Sequence, residues 1–393
     1  MTTDRIYLDH AATTPVDPAV LAEMTPYFSE LFGNASSSHR AGRVSLSAVD
    51  LARDRVAAAI GASPSEILFT SGGTESDNWA ILGVAEAYPE RRHLISSAVE
   101  HPAVMETLRR LEARGYEVTY LPVDIEGRIS LSDAVAAMRE DTLLVSVMLA
   151  NNEVGTIQPV KELAREAHSR GILVHTDAVQ AVGAIPVDVR DLDVDLLSLS
   201  AHKFYGPKGV GALYLRSGVK IKGFHLGGEQ ERTLRAGTYN TPAIVGMGAA
   251  VALASERLSE NARHLSALKS AFLTGVKDLP SVTVNGGGES LPGIVNLRFP
   301  GIRSSELLSA LDLQGIAASA GSACSAGSVE PSRVLTAMGL SKEDVTSSLR
   351  FSFGRENTLE EVHRTLTALK EILSRLTRDT DLFLQKKTKR YDV

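Results

Sequence analysis

Leu196-Leu197-Ser198-Leu199-Ser200-Ala201-His202-Lys203-Phe204-Tyr205-Gly206-Pro207-Lys208-Gly209 is a short apolar run that breaks into a polar tip and then a glycine- and proline-marked turn. The run is too short for a buried helix and is bounded by turn residues, so it predicts a strand covered on both faces. The same reading predicts strands at Ile67–Phe69, His93–Ser96, Glu117–Leu121, Leu143–Met148, Leu173–Val174 and Gly211–Leu215. Helical spacing lies between them, as in Val49, Ala52, Val56 and Ile60. Strands alternating with helices imply an α/β domain built on a mostly parallel sheet. From Asn240 to Leu279 the pattern is helical and long, a bridge between lobes. Beyond it the order is mixed, with strands expected at Val282–Val284, Ile294–Phe299 and Arg350–Phe353. A last helix opens on Thr358 and Glu361, which form a capping box, and carries Val362, Leu366, Leu369 and Leu373 on one stripe. This portion reads as a smaller α+β lobe, in keeping with 393 residues, more than one small core needs.

Composition narrows the function. Hydrophobic residues at 44% and charged residues at 22% fit a soluble globular chain. A net charge of −6 lacks the basic surplus of a nucleic-acid binder, and the run Lys386, Lys387, Lys389 and Arg390 reads as a solvated end. No stretch of about 18 apolar residues suggests a membrane span. The opening residues lack a secretory pattern. One cysteine, Cys324, rules out an internal disulfide, and a reducing cytoplasm is the expected compartment.

Ligands of open α/β sheets bind beyond the carboxyl ends of the strands, so the residues that follow each strand carry the functional reading. Thr70-Ser71-Gly72-Gly73-Thr74-Glu75 suits an anion at a helix N-terminus, or is simply a glycine-rich turn; no Lys-Ser/Thr follows, so it is no Walker loop. His101, in Glu100-His101-Pro102, is a loop histidine or a ring that stacks on a flat ligand. Asn151-Asn152-Glu153-Val154-Gly155-Thr156 offers amides to a ligand or to its own turn. Asp177 at a strand tip either caps the next helix or awaits a cation such as a protonated pyridine nitrogen. Lys203 is a solvated loop lysine or a Schiff-base former, whereas Lys208 reads as exposed. Together they supply a phosphate cup, a stacking ring, an acid, amide donors and a lysine, the parts that pyridoxal 5'-phosphate requires.

From Tyr7-Leu8-Asp9-His10-Ala11-Ala12-Thr13-Thr14-Pro15 to Arg350-Phe351-Ser352, these motifs resemble the cysteine desulfurases of the class V aminotransferase family, the iron–sulfur cluster assembly type with a long active-site loop. The resemblance implies an aspartate aminotransferase-like, fold type I transferase. Its large domain would span 15–255; a small domain of 1–14 and 256–393 would carry the cysteine loop. By resemblance, Lys203 holds the cofactor, His101 stacks on its ring, Asp177 pairs with the ring nitrogen and Gln180 bonds the phenolic oxygen. Gly73, Thr74, Ser200 and His202 bind the phosphate. Thr238 reaches it from a second subunit, which implies a homodimer. Asn152 and Arg350 hold the carboxylate of L-cysteine, and Asn34 and His39 border the substrate pocket. Cys324, in Gly321-Ser322-Ala323-Cys324-Ser325-Ala326-Gly327-Ser328, receives the sulfur and passes it to an acceptor or iron–sulfur scaffold protein. No metal is implied. Ala201 and Ala35 depart from the family's usual Gly and Pro and bear on loop geometry only. A selenocysteine lyase and an ordinary aminotransferase share these features and remain open at this level.

Overall fold

The computed structural model describes residues 5–320 and 331–388, those after 376 by backbone alone. A short strand β1 (Ile6–Tyr7) opens the chain. The main sheet follows, with β2 (Ile67–Thr70), β3 (His93–Ser97), β4 (Glu117–Leu121), β5 (Thr142–Ser146), β6 (Leu173–Asp177), β7 (Leu196–Ser200) and β8 (Gly211–Leu215). Their order is β2-β8-β7-β6-β5-β3-β4. Neighbours pair in parallel except β8, which runs antiparallel to both β2 and β7. Every residue of β2, β3, β5 and β7 is buried, which is why these strands lack an alternating pattern. The 73–87 helix is buried on most sides, and Trp79 within it donates its indole N–H to the Lys222 carbonyl at 2.8 Å.

The parallel strands end on one edge of the sheet. That edge therefore collects 71–74 after β2, 98–101 after β3, 147–152 after β5, Asp177 at the end of β6, and Ser200 to Lys203 after β7. Topology gathers what the sequence scatters.

A second core packs Ile6, Leu8, Phe272, Leu297, Phe351 and Leu369. It contains the antiparallel sheet of β9 (Thr283–Asn285), β10 (Ile294–Arg298) and β12 (Ser348–Ser352), in the order β12-β10-β9, while β11 (Ile316–Ala317) pairs in parallel with β1. The start of the chain is thus stitched to its far end: Ser352 donates its amide to the Leu8 carbonyl at 2.8 Å. The capping box of the last helix forms, with Thr358 N–H on Glu361 at 2.9 Å and Glu361 N–H on the Thr358 hydroxyl at 3.2 Å. The long helical stretch is two helices, Thr241–Glu256 and Leu258–Val276, broken at Arg257. The first is apolar all round and sits with the main sheet, whereas the second turns Leu268, Phe272 and Val276 into the other core. One straight helix cannot face both.

Gly211 shows how tightly β8 sets the loop after β2. A Cβ there would lie 2.7 Å from the Gly72 backbone and 2.6 Å from the Leu199 carbonyl oxygen. Gly211→Ala should therefore push the 71–74 loop outward and cost about 1–3 kcal/mol of stability. Denaturant unfolding checks this; an unchanged midpoint would show that the loop yields freely.

Candidate active site

A cavity of about 270 Å³ opens at that edge. Its lining includes Gly73, Thr74, His101, Asn152, Asp177, Gln180, Ser200, His202, Lys203 and Arg350. All ten are residues singled out from the sequence, and the fold brings them together.

At one end the helix that begins at Gly73 aims its first amides inward. A Cβ on Gly73 would meet Val179 at 2.6 Å, so only glycine lets the helix start this close to the loop after β6. Thr74, Ser200 and His202 add polar groups, and a His202 ring nitrogen meets the Thr13 hydroxyl at 3.1 Å. Burial, with the cations of Lys203 and Lys208, lowers His202 to about 4, so it works as a neutral ring.

In the middle stand Asp177, His101 and Lys203. Asp177 is buried and accepts the Val179 amide at 2.9 Å. Burial raises its pKa, against the pull of His101, the Val179 amide and Lys203. A cation set against this carboxyl would favour its ionised form. His101 caps the 102–112 helix, its Nδ1 accepting the Ala103 amide at 3.1 Å, with Pro102 in the first turn. Burial lowers its pKa; Asp177 opposes this and Lys203 adds to it. Lys203 ends a short turn directly after β7. Its Nζ donates to the carbonyls of Ala11 and, at 3.0 Å, Ala12. Gln180 donates to the same Ala11 carbonyl at 2.9 Å.

The far wall comes from the second core. Arg350 projects from β12, its Nη1 on the Asn152 carbonyl at 2.8 Å and its Nη2 on Asp9 at 2.7 Å. Its Nε is buried and has no partner. The cavity is thus an anion cradle, a buried acid beside a ring and a lysine, and an arginine with a spare N–H. That donor set fits pyridoxal 5'-phosphate with an amino acid alongside.

Thr238, Asn34 and His39 do not line this cavity within one chain. Thr238 lines a neighbouring cavity of about 220 Å³ with Ser71, Gly209 and Arg235. Asn34 lies on an exposed loop and accepts the Ser36 amide at 2.9 Å, while His39 caps the 40–59 helix through Gly42 at 3.2 Å. Cys324 lies outside the described residues, although Ser319 lines the cavity.

Sequence reasoning assigned no role to Asp9, Asp77 or Glu100. Asp77 lines the cavity one helical turn beyond Gly73, a spacing that does place it on the same face. It is buried, its Oδ1 has no hydrogen-bond partner and lies 3.7 Å from His175 Nε2, and burial, then Asp177, raise its pKa while Ser198 opposes. Glu100 clamps the end of β3 to the end of β5. Its carboxyl accepts the Met148 amide at 3.0 and 3.1 Å and the Ser97 hydroxyl, and burial is the first cause that pushes it up to about 8.

The chain belongs to the class-V aminotransferase family, whose model matches residues 6–365. It is similar to the cysteine desulfurase IscS of Methanosarcina thermophila, 50% identical over 373 residues, 94% of this chain and 92% of that one. The putative cysteine desulfurase IscS 1 of Bacillus subtilis (strain 168) is 49% identical over 95% of this chain and 100% of its own. Among solved structures, a NifS-like protein superposes with a TM-score of 0.89 at 43% identity, covering 94% of this chain and 99% of that one. SspA in complex with cysteine gives a TM-score of 0.80 at 38% identity, over 90% and 100%.

Glu100 supplies a pH test. Its folded pKa of about 8 lies above the ordinary 4.5, so the folded state keeps a proton that the unfolded state releases. Stability from this group is intact below the ordinary value and declines as pH rises toward 8, by about 1.4 kcal/mol per pH unit in that window. Glu100→Gln should remove that slope, and parallel unfolding curves for the two proteins between pH 5 and 8 would contradict it.

Proposed function

We propose that this protein is a pyridoxal-phosphate-dependent cysteine desulfurase: it converts L-cysteine to L-alanine and moves the sulfur onto Cys324. The observation that carries the reading is the convergence of Lys203, Asp177 and His101 between an anion cradle and Arg350 in one cavity. The names of the relatives support the same chemistry.

Gly73, Thr74, Ser200 and His202 would bind the phosphate, with Lys203 holding the cofactor and His101 flat against its ring. Gln180 would bond the phenolic oxygen. Bound there, pyridoxal 5'-phosphate supplies an electron sink for the bonds at the substrate's α-carbon. Asp177 would face the ring nitrogen and hold its proton there, the nearby cation offsetting the cost of burying an ionised carboxylate. Lys203, once freed by the substrate's amine, would take the α-proton, with His101 as its partner. Asn152 and Arg350 would hold the substrate carboxylate. The Cys324 thiolate attacks the substrate sulfur. An S–S bond forms as the C–S bond breaks, the released electron pair is protonated at carbon, and L-alanine leaves with the sulfur retained as a persulfide.

The acceptor of that sulfur is a carrier or an iron–sulfur scaffold protein. We also assign a homodimer, in which Thr238 completes the partner's phosphate site. We divide the chain into 15–255 and, apart from it, 1–14 with 256–393; the two cores support this reading, although Ala11, Leu291 and Ile294 pack with the first. A cytoplasmic setting suits a lone thiol that must stay reduced, and no helix among the described residues is long and apolar enough to cross a membrane. The negative net charge supports no nucleic-acid partner.

Incubation with L-cysteine and a reductant should release sulfide and alanine in equal amounts. Cys324→Ala should lose both while keeping the absorbance of the bound cofactor. Full activity in that variant would overturn the role of Cys324, and cofactor absorbance without sulfide from the wild type would overturn the reaction.

A further inference from the structure

Arg350 has a carboxylate beside it before any substrate arrives. Its side chain is 3% exposed, that of Asp9 is 22% exposed, and the two pair at 2.7 Å. Both line the cavity. Asp9 is held in place by its backbone. Its carbonyl accepts the Ala12 amide at 3.0 Å, and it bridges to Ser352 on the same strand that carries Arg350. The stitch between the chain's beginning and β12 therefore fixes the backbone that carries this carboxylate, and the pair with Arg350 holds its side chain.

We propose that Asp9 is a specificity-determining residue: a fixed negative charge beside the carboxylate site that admits amino acids with an uncharged side chain and rejects those with an anionic one. The proposal rests on the reading of Arg350 as the partner of the substrate carboxylate. Arg350 and Asp9 together are neutral. One carboxylate is tolerated, because the Arg350 guanidinium, whose Nε has no hydrogen-bond partner, offsets its charge. Among the described residues of this wall the one cation that a second anionic group on the same molecule meets is Arg350, already paired with Asp9, and it is repelled by Asp9 itself. The opposite wall does not compensate. Lys203 is committed to the cofactor, burial keeps the His101 ring neutral, and Asp177 and Asp77 are themselves acids. A cysteine side chain, carried as the thiol, meets no such penalty. Exclusion thus comes from a built-in repulsion.

The test uses the enzyme loaded with pyridoxal 5'-phosphate and two ligands of equal size, L-asparagine and L-aspartate. Binding is read from the change each causes in cofactor absorbance. Wild type should bind L-asparagine tighter by on the order of tenfold, and Asp9→Asn should bring the two affinities to within about threefold. Comparing the ligands within one protein removes any general effect of the substitution on folding or loading. Asp9→Ser serves where Asp9→Asn does not load. Equal affinities in wild type, or an unchanged ratio in the variants, would overturn the role of Asp9 alone. No spectral response of wild type to L-cysteine or L-asparagine would overturn the underlying reading of the site, and this proposal with it.

Discussion

A carboxyl group taken out of water at the tip of a central parallel strand is the constraint around which this molecule is arranged. Asp177 sits there, with one backbone amide as its fixed donor and a pKa that burial drives upward. Such a group costs folding free energy unless a cation or a proton meets it. His101 from the loop after β3 and Lys203 from the turn after β7 face it, and both are set in place by local structure, a helix cap and a tight turn. Asp77 and Glu100 crowd the same region as further acids held toward neutrality. The region is poorly satisfied by the protein alone and well suited to a cationic ring.

The second core completes the site from outside the sheet. β12 belongs to a small antiparallel sheet, but pairing of its neighbourhood with residues 8 and 9 draws Arg350 over the cavity. The first residues of the chain therefore serve two ends. Ile6 and Leu8 fill the second core, while Asp9, Ala11 and Ala12 present a carboxylate and two carbonyls to Arg350 and Lys203.

Much of this was legible in the sequence. Apolar runs without alternation gave the buried parallel strands, and the residues just past them gave the cavity lining, because strand tips share an edge whatever their order. Strand ends shifted by one to three residues: Leu173–Val174 grew to include Asp177, since β6 continues pairing to its tip. Asp77 was missed because its one signal is the four-residue spacing from Gly73, which puts it on the same helix face. Glu100 was overshadowed by the histidine beside it. The break at Arg257 was invisible because both flanking segments have good helical spacing, and only the positions of the two cores require it. Asn34 and Thr238 were chosen by resemblance, and each stands apart from the main cavity within a single chain.

The central claim is that Lys203 is the covalent seat of pyridoxal 5'-phosphate. Borohydride reduction of the loaded protein, followed by peptide mass analysis, addresses it directly. The account predicts a phosphopyridoxyl mass on the peptide containing Lys203. The same mass on another lysine, or on none, would contradict it.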